Sequence, residues 1–434
     1  MKRLLLTGTT LGFVVVQLDV TIVNVALQRI GQSLGGNVAS LQWIVNAYTL
    51  VFAALILTAG ALGDRLGARR VFIAGFAIFG LGSLGCALST STPILIGARA
   101  LQGIGAAILV PCSLALINHA YTTEAERNKA ISIWAAGASV AVAAGPVIGG
   151  VLIAFAGWRS IFYVNVPLAI VGIFLVWRYS QETPRLRQRS IDLPGQLLGI
   201  FALADIAFTI IERAGVWGYV LFAVAAIAFL IVESRSPSPM LPLGLFRNAT
   251  FSATTVIGWV INVAFYGLIF VLSLFFQRTL KYSALQTGLA FLPMTGMILP
   301  ANLASGAIAT RVGPRIPIVV GQIAMIVGCL ALLVARAGTP YWQLAPQMLL
   351  LGGGVGLVVP AMTSALLGTV DKSRSGVASG VLNASRQAGS VVGVALFGNA
   401  GLTRDLLIAA GIVLPGVVIA LRFLVKMSGA GTSE

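Results

Sequence analysis

Four charged residues stand well inside long apolar runs of this 434-residue chain: Asp19, Arg99, Asp205 and Arg386. Left unpaired at a bilayer centre, each would cost about 2.5 to 3.5 kcal/mol on insertion scales, so a functional role is the default reading. Burial disfavours an ionised carboxylate and a neighbouring guanidinium favours it, so a carboxylate subject to both is poised to hold a proton or a cation. Asp19 with Arg99 is the foremost such combination, the bland alternative being an ion pair that only locks two helices together. Asp205 reads as a secondary proton site. Arg386, with Asn383 and Gln387 beside it in "NASRQAG", forms a polar patch that could attract an anion or balance an acid. Other chemistry is poorly provided for. Cys86, Cys112 and Cys329 lie in apolar runs without metal-ligand spacing and read as small buried hydrophobes, so no metal site is expected. The single histidine, His119, falls at the inner end of a helix, and no Ser/His/Asp set supports a lipid-modifying enzyme. "GLGSLG" at 80–85 has neither a preceding strand nor a later acidic partner, and no phosphate-binding G-x-x-x-x-G-K-[ST] occurs, which argues against dinucleotide and ATP chemistry in this chain.

The elements that must position these residues are membrane helices. With 58% hydrophobic residues and a mean hydropathy of +0.97, the chain is too apolar for a soluble globule. It supplies one run of roughly 20 apolar residues after another, each long enough to span a bilayer. The runs predict fourteen helices, near 5–28, 40–63, 71–89, 93–118, 129–155, 160–179, 193–212, 216–233, 250–277, 284–309, 316–336, 341–367, 376–400 and 404–425, and hence an all-α polytopic protein. No A-x-A-like cleavage site follows the first run, so it is expected to be retained. The net charge of +16 sits mainly in short connectors, which points to topology rather than to nucleic acid. With the N-terminus inside, the inner connectors hold most of the Lys and Arg, so both termini are expected to be cytoplasmic. The sequons at Asn248 and Asn383 then fall on the inner side and within a helix, where no glycan is expected.

An internal repeat divides the chain. "GALGDRLGARRVFIAG" at 60–75 recurs as "GAIATRVGPRIPIVVG" at 306–321, and "LQGIGAAILVPCSLALI" at 101–117 recurs as "LLGGGVGLVVPAMTSALL" at 350–367. Corresponding elements therefore lie roughly 247 residues apart, whereas six helices end near residue 180, which leaves room for two more between the copies. The expected organisation is a six-helix bundle over 1–182, an inserted pair with its connectors over 183–248, and a second six-helix bundle over 249–434.

Residues 60–70 resemble the loop 2-3 motif of the major facilitator superfamily, matched at Gly60, Leu62, Asp64, Arg65, Gly67, Arg69 and Arg70. "LDVTIVNVAL" (18–27), "LQWIVNAYTL" (41–50), "RALQGIGAAILVP" (99–111), "GPVIGG" (145–150), "GWRSIFYVNVP" (157–167) and "PLGLFRNATFSA" (242–253) resemble further motifs of its fourteen-helix drug:proton antiporter family. That resemblance implies the major facilitator fold, with alternating access of two bundles driven by the proton gradient and no cofactor. It implies that Asp64 latches the loop near the start of the thirteenth helix, where a helix dipole favours a carboxylate, while Arg65, Arg69 and Arg70 hold the loop inside. Gly67 would permit the tight turn. The repeat carries Thr310 in place of Asp64, so an asymmetric gate is expected. Asp19 and Arg99, with Gln102 one turn on, are implied to bind and relay the coupled proton. Gly145, Pro146, Gly149 and Gly150 match the motif associated with exchange rather than symport.

Polar, aromatic and methionine residues suggest a cavity lining of Asn24, Gln42, Trp43, Asn46, Tyr48, Gln102, Asn262, Tyr266, Met294, Met297, Met362, Asn383, Arg386 and Gln387. Aromatic faces hold lipophilic cations and methionines adapt to varied shapes; each residue alone is as readily explained by packing. Glu212, near the outer end of the seventh helix, reads as solvated. The expected activity is proton-coupled export of lipophilic, cationic drugs from a bacterial cytoplasmic membrane by a monomer. The alternative is a dedicated exporter of one endogenous metabolite, antibiotic or lipid. Small-molecule substrate, protons and the bilayer are the expected partners, with no nucleic acid.

Overall fold

The computed structural model describes residues 2–185, 192–237, 239–371 and 374–424, and among them the regular structure is entirely helical. We number the fourteen long helices α1 (Lys2–Leu34), α2 (Val38–Leu66), α3 (Ala68–Leu88), α4 (Thr92–Ala120), α5 (Glu124–Ala156), α6 (Ser160–Tyr179), α7 (Leu193–Ile211), α8 (Val216–Arg235), α9 (Ala249–Thr279), α10 (Ala284–Val312), α11 (Arg315–Val334), α12 (Tyr341–Leu367), α13 (Ser375–Leu396) and α14 (Leu402–Phe423). All but α13 are long and apolar enough to cross a membrane; α13 is diluted by Asn383, Ser385, Arg386 and Gln387. The expected end of the last helix at residue 425 lies outside the described residues.

Local sequence explains where these helices begin and break. Asn37, Thr123, Asp192 and Asn248 cap α2, α5, α7 and α9 by accepting first-turn backbone N–H groups, which satisfies donors that a helix leaves open. Interior prolines remove a backbone donor and unsettle the preceding turn. Pro167 lacks the N–H that would reach Tyr163, and α6 is interrupted at Val164 just before Asn165. α10 is interrupted at Phe291 and Met297 around Pro293.

The helices form two compact units, Met1–Pro242 with Lys281–Leu289 and Leu243–Leu280 with Ala290–Glu434. In the first, α4 packs on α1, α2 and α3, and α1 and α3 each pack on α6, while α5 lies along α1. In the second, α12 packs on α9, α10 and α11, and α9 and α11 each pack on α14, while α13 lies along α9. The pairings are the same eight helices later, so the sequence repeat is a structural repeat. α7 rests on α2 and carries α8, whose outward residues Val216, Trp217, Val224 and Ile227 are exposed as suits contact with lipid.

Candidate functional site

The centre of the first unit holds a charge pair. Arg99 of α4 is 1% exposed, Asp19 of α1 is 0% exposed, and the guanidinium Nη1 donates to Asp19 Oδ2. Further hydrogen bonds surround the pair. Arg99 Nε donates to the Ile44 carbonyl of α2 at 3.1 Å, and Nη1 donates to Gln102 Oε1 at 2.8 Å. Gln102 Nε2 donates to Asp19 Oδ1 at 3.2 Å and to Ser83 Oγ of α3 at 2.7 Å, while the Cys86 thiol donates to Gln102 Oε1 at 3.2 Å. Asn165 of α6 donates from Nδ2 to Asp19 Oδ1 at 3.2 Å. The Tyr48 ring stacks 4.4 Å from the guanidinium carbon, held there by its hydroxyl donating to the Val16 carbonyl. Phe162 closes the other approach at 5.9 Å.

Such a cluster answers the desolvation problem that a buried pair presents. Two charges taken out of water are tolerated when their geometry is good and their other hydrogen-bonding groups are satisfied. Here α2, α4 and α6 supply such partners, α3 braces Gln102 through Ser83, and the carboxylate accepts from Arg99, Gln102 and Asn165. Sequence reasoning singled out Asp19, Arg99, Gln102 and Tyr48, though Tyr48 supports the guanidinium here. Ser83 and Asn165 were missed, and Cys86 is a hydrogen-bond donor rather than a mere apolar filler. For Asn165 the break created by Pro167 was an available signal; Ser83 offered none.

Two glycines of α5, Gly145 and Gly149, bring that helix against α1 two and three residues beyond Asp19. A β-carbon on Gly145 would collide with Thr21 Oγ1, and one on Gly149 would lie 2.7 Å from Ile22 Cγ1. Gly150 meets the start of α10 in the same way, its β-carbon position lying 2.8 Å from the Ala284 carbonyl oxygen, while Gly288 abuts the Pro146 carbonyl. "GPVIGG" is therefore a contact surface at which α5 meets both α1 and the first turns of α10, with Pro146 removing one backbone bond at its centre.

The charged 60–70 stretch is a clamp between α2 and α3. Gly67 ends α2 with φ +101°, and its N–H reaches the Gly63 carbonyl at 2.9 Å. Glu182, just past α6, accepts from Arg69 N at 2.9 Å, and Thr183 Oγ1 accepts from Ala68 N at 2.8 Å, so together they cap α3. Arg69 also donates to the Trp177 carbonyl, and Arg70 Nε lies 3.6 Å from Glu182 Oε2. A β-carbon at Gly67 would stand 2.5 Å from the Glu182 carboxyl, so glycine is required there twice over. Its repeat counterpart Gly313 also has positive φ, +83°. Gly60 faces Pro111, Asp64 is half-buried at the end of α2, and Arg65 is exposed. Glu182 was not anticipated; an acid within the basic stretch "QETPRLRQR" was the available sign.

The remaining residues named from sequence are dispersed. Trp43 donates from Nε1 to Glu212 Oε1 at 2.8 Å, tying α2 to α7, so Glu212 is exposed yet engaged. Asn24 and Asn262 donate to backbone carbonyls one turn back in their own helices. Gln42 is fully buried, and Asn46, also fully buried, makes no side-chain hydrogen bond among the described residues. Asp205 is half-buried on α7, its Oδ2 without a partner among the described residues. In the second unit Met294 packs its backbone on Gly352, whereas Met297 is 36% exposed. Arg386 and Met362 converge on Gly258, bringing α9, α12 and α13 together, with half-buried Asn383 and Gln387 alongside. Tyr266 lies nearby in sequence on α9, 8% exposed.

Two repeated helical units with an inserted pair, and a buried acid-guanidinium pair among the helices of one of them, define a polytopic membrane carrier. A model of the Major Facilitator Superfamily matches residues 9–394. The chain is 37% identical over 398 residues to "Methylenomycin A resistance protein" of Bacillus subtilis (strain 168), covering 89% of this chain and 85% of that one. It is 36% identical over 406 residues to "Multidrug resistance protein Stp" of Mycobacterium tuberculosis, covering 92% and 75%. A crystal structure of a bacterial homolog of the human lysosomal transporter Spinster shares the fold, with a TM-score of 0.70 at 16% identity over 99% of both chains. The chain belongs to the Major Facilitator Superfamily, and it is a multi-pass membrane transporter of small molecules rather than an enzyme.

Proposed function

We propose that the chain exports lipophilic, cationic drugs in exchange for protons, with Asp19 as the proton-carrying group and Arg99 as its partner. The observation that carries this reading is the complete burial of the pair at the convergence of α1, α2, α3, α4 and α6. Protonating Asp19 removes the charge attraction to Arg99 and loosens α1 against α4, a change that biases two arrangements of the unit. Because Asp19 is enclosed, a bulky drug competes with the proton through the position of α1 rather than by touching the carboxylate. "GPVIGG" passes that movement to α5 and the start of α10. Asp64 acts as a latch on the inner side, and Asp205 is a secondary proton site. The cavity contacts are drawn from the polar and aromatic residues above, and the proton gradient is the sole energy source. The protein works as a monomer in a bacterial cytoplasmic membrane with both termini inside.

Antibiotic and multidrug resistance relatives support export. The relative named for methylenomycin A favours a second reading, a dedicated exporter of one compound. Purified protein in proteoliposomes with an imposed pH gradient separates the two. Gradient-driven movement of several unrelated lipophilic cations, each with opposite proton flow, supports multidrug exchange. Movement of one compound alone establishes the dedicated exporter, and indifference to the gradient for every substrate rejects proton coupling.

A further inference from the structure

We infer that the Asn165 side-chain amide is a two-position switch that reverses when Asp19 takes a proton; this rests on the proposed role of Asp19. The amides at Asp19 differ in one respect. Gln102 is engaged at both ends, its Nε2 donating to Asp19 Oδ1 and Ser83 Oγ and its Oε1 accepting from Arg99 and Cys86. Asn165 is 1% exposed and donates to Asp19 Oδ1, but its own Oδ1 is buried without a partner among the described residues. A carboxylate is an acceptor only, so the Asn165 nitrogen must face it while Asp19 is ionised. When a proton from water is placed on Oδ1, the new hydroxyl needs an acceptor. A half-turn of the Asn165 amide presents its idle carbonyl oxygen to that hydroxyl, which continues to accept from Gln102 Nε2. One amide end is unpartnered in each state, so the reversal costs no net hydrogen bond.

The neighbours leave this task to Asn165. Arg99 of α4 is the only charged group facing the carboxylate among the described residues, and it stays with Oδ2. Tyr48 of α2 is committed to the Val16 carbonyl and Cys86 of α3 to Gln102. α5 presents Gly145 near Thr21, and α6 presents Phe162 and Asn165, none of them titratable. Asn165 opens the second segment of α6, directly after the interruption at Val164 and two residues before Pro167. Asn165 is thus a positioning residue that accepts the proton's hydrogen bond without taking the proton.

Infrared difference spectroscopy of the full-length protein in lipid tests this, with pH steps and isotope-labelled asparagine. Asp19→Asn identifies the Asp19 carboxyl band and Asn165→Leu identifies the Asn165 amide band. We expect the two bands to change at the same pH in the wild type. Asn165→Leu is expected to lose the amide change, retain substrate binding and slow exchange about tenfold, the scale of one hydrogen bond to a charged group. Asn165→Ser, which keeps a rotatable donor and acceptor, should recover part of that rate. A carboxyl band that titrates while the Asn165 amide stays silent overturns the switch and leaves the Asp19 reading intact. Absence of any titrating Asp19 band overturns both.

Discussion

Asp19 and Arg99 are worth more as a pair than as separate residues, because each one's burial is tolerable only in the other's presence. Removing one partner of such a pair leaves an uncompensated charge, at a typical cost of about 3 to 5 kcal/mol. We therefore expect Arg99→Ala to lower thermal stability sharply in a detergent melt, and Arg99→Ala/Asp19→Asn to recover much of the loss. If the double variant is no more stable than Arg99→Ala, the charges do not act as a pair. A second residue-scale expectation concerns Gly67. Placing a β-carbon at its positive φ costs roughly 1 to 2 kcal/mol, and contact with the Glu182 carboxyl adds to that. Gly67→Ala should destabilise measurably in the same melt, whereas Gly60→Ala, with only an ordinary contact to Pro111, should not.

Between residues and the whole carrier stand the helix contacts through which the proposed mechanism turns a proton into motion. α5 touches α1 through Gly145 and Gly149 and the start of α10 through Gly150 and Gly288. Overpacking typically costs about 1 to 3 kcal/mol, so Gly145→Ala is expected to slow proton-drug exchange while substrate binding persists. Thr21→Ala in the same chain should restore part of the rate by removing the oxygen that the new β-carbon meets; no recovery would place the defect elsewhere. The cap on α3 makes a parallel case: Glu182→Ala should cost roughly 1 kcal/mol, as loss of a helix cap does, and Glu182→Gln about half that.

At the scale of the molecule, the count of fourteen helices and the two repeated bundles were legible because long apolar runs leave few alternatives in a bilayer. The copies at 60 and 306 also set the spacing of the halves. The breaks in α6 and α10 were less legible, since Pro167 and Pro293 lie in runs that hydropathy alone treats as continuous. At the site, charges in an apolar run announced themselves, so Asp19 and Arg99 were found. Ser83, Cys86 and Asn165 were not, because a neutral polar residue in a membrane helix is ordinary and only tertiary packing brings positions 19, 83, 86, 102 and 165 together. Trp43 stood out for its aromatic ring, yet its indole is spent on Glu212.

A latch at Asp64 is a whole-molecule proposal. Asp64→Asn should shift the accessibility of a cysteine introduced on the inner face towards the inward-open population, by labelling rate, without altering drug affinity in detergent; unchanged labelling would remove the latch. The central claim, that Asp19 carries the exchanged proton, is tested most directly by adding drug to purified protein in weakly buffered detergent and recording proton release. Wild type is expected to release protons on binding, and Asp19→Asn to bind the same drug and release none. Proton release by Asp19→Asn equal to that of wild type would contradict the account and move the coupling site away from Asp19.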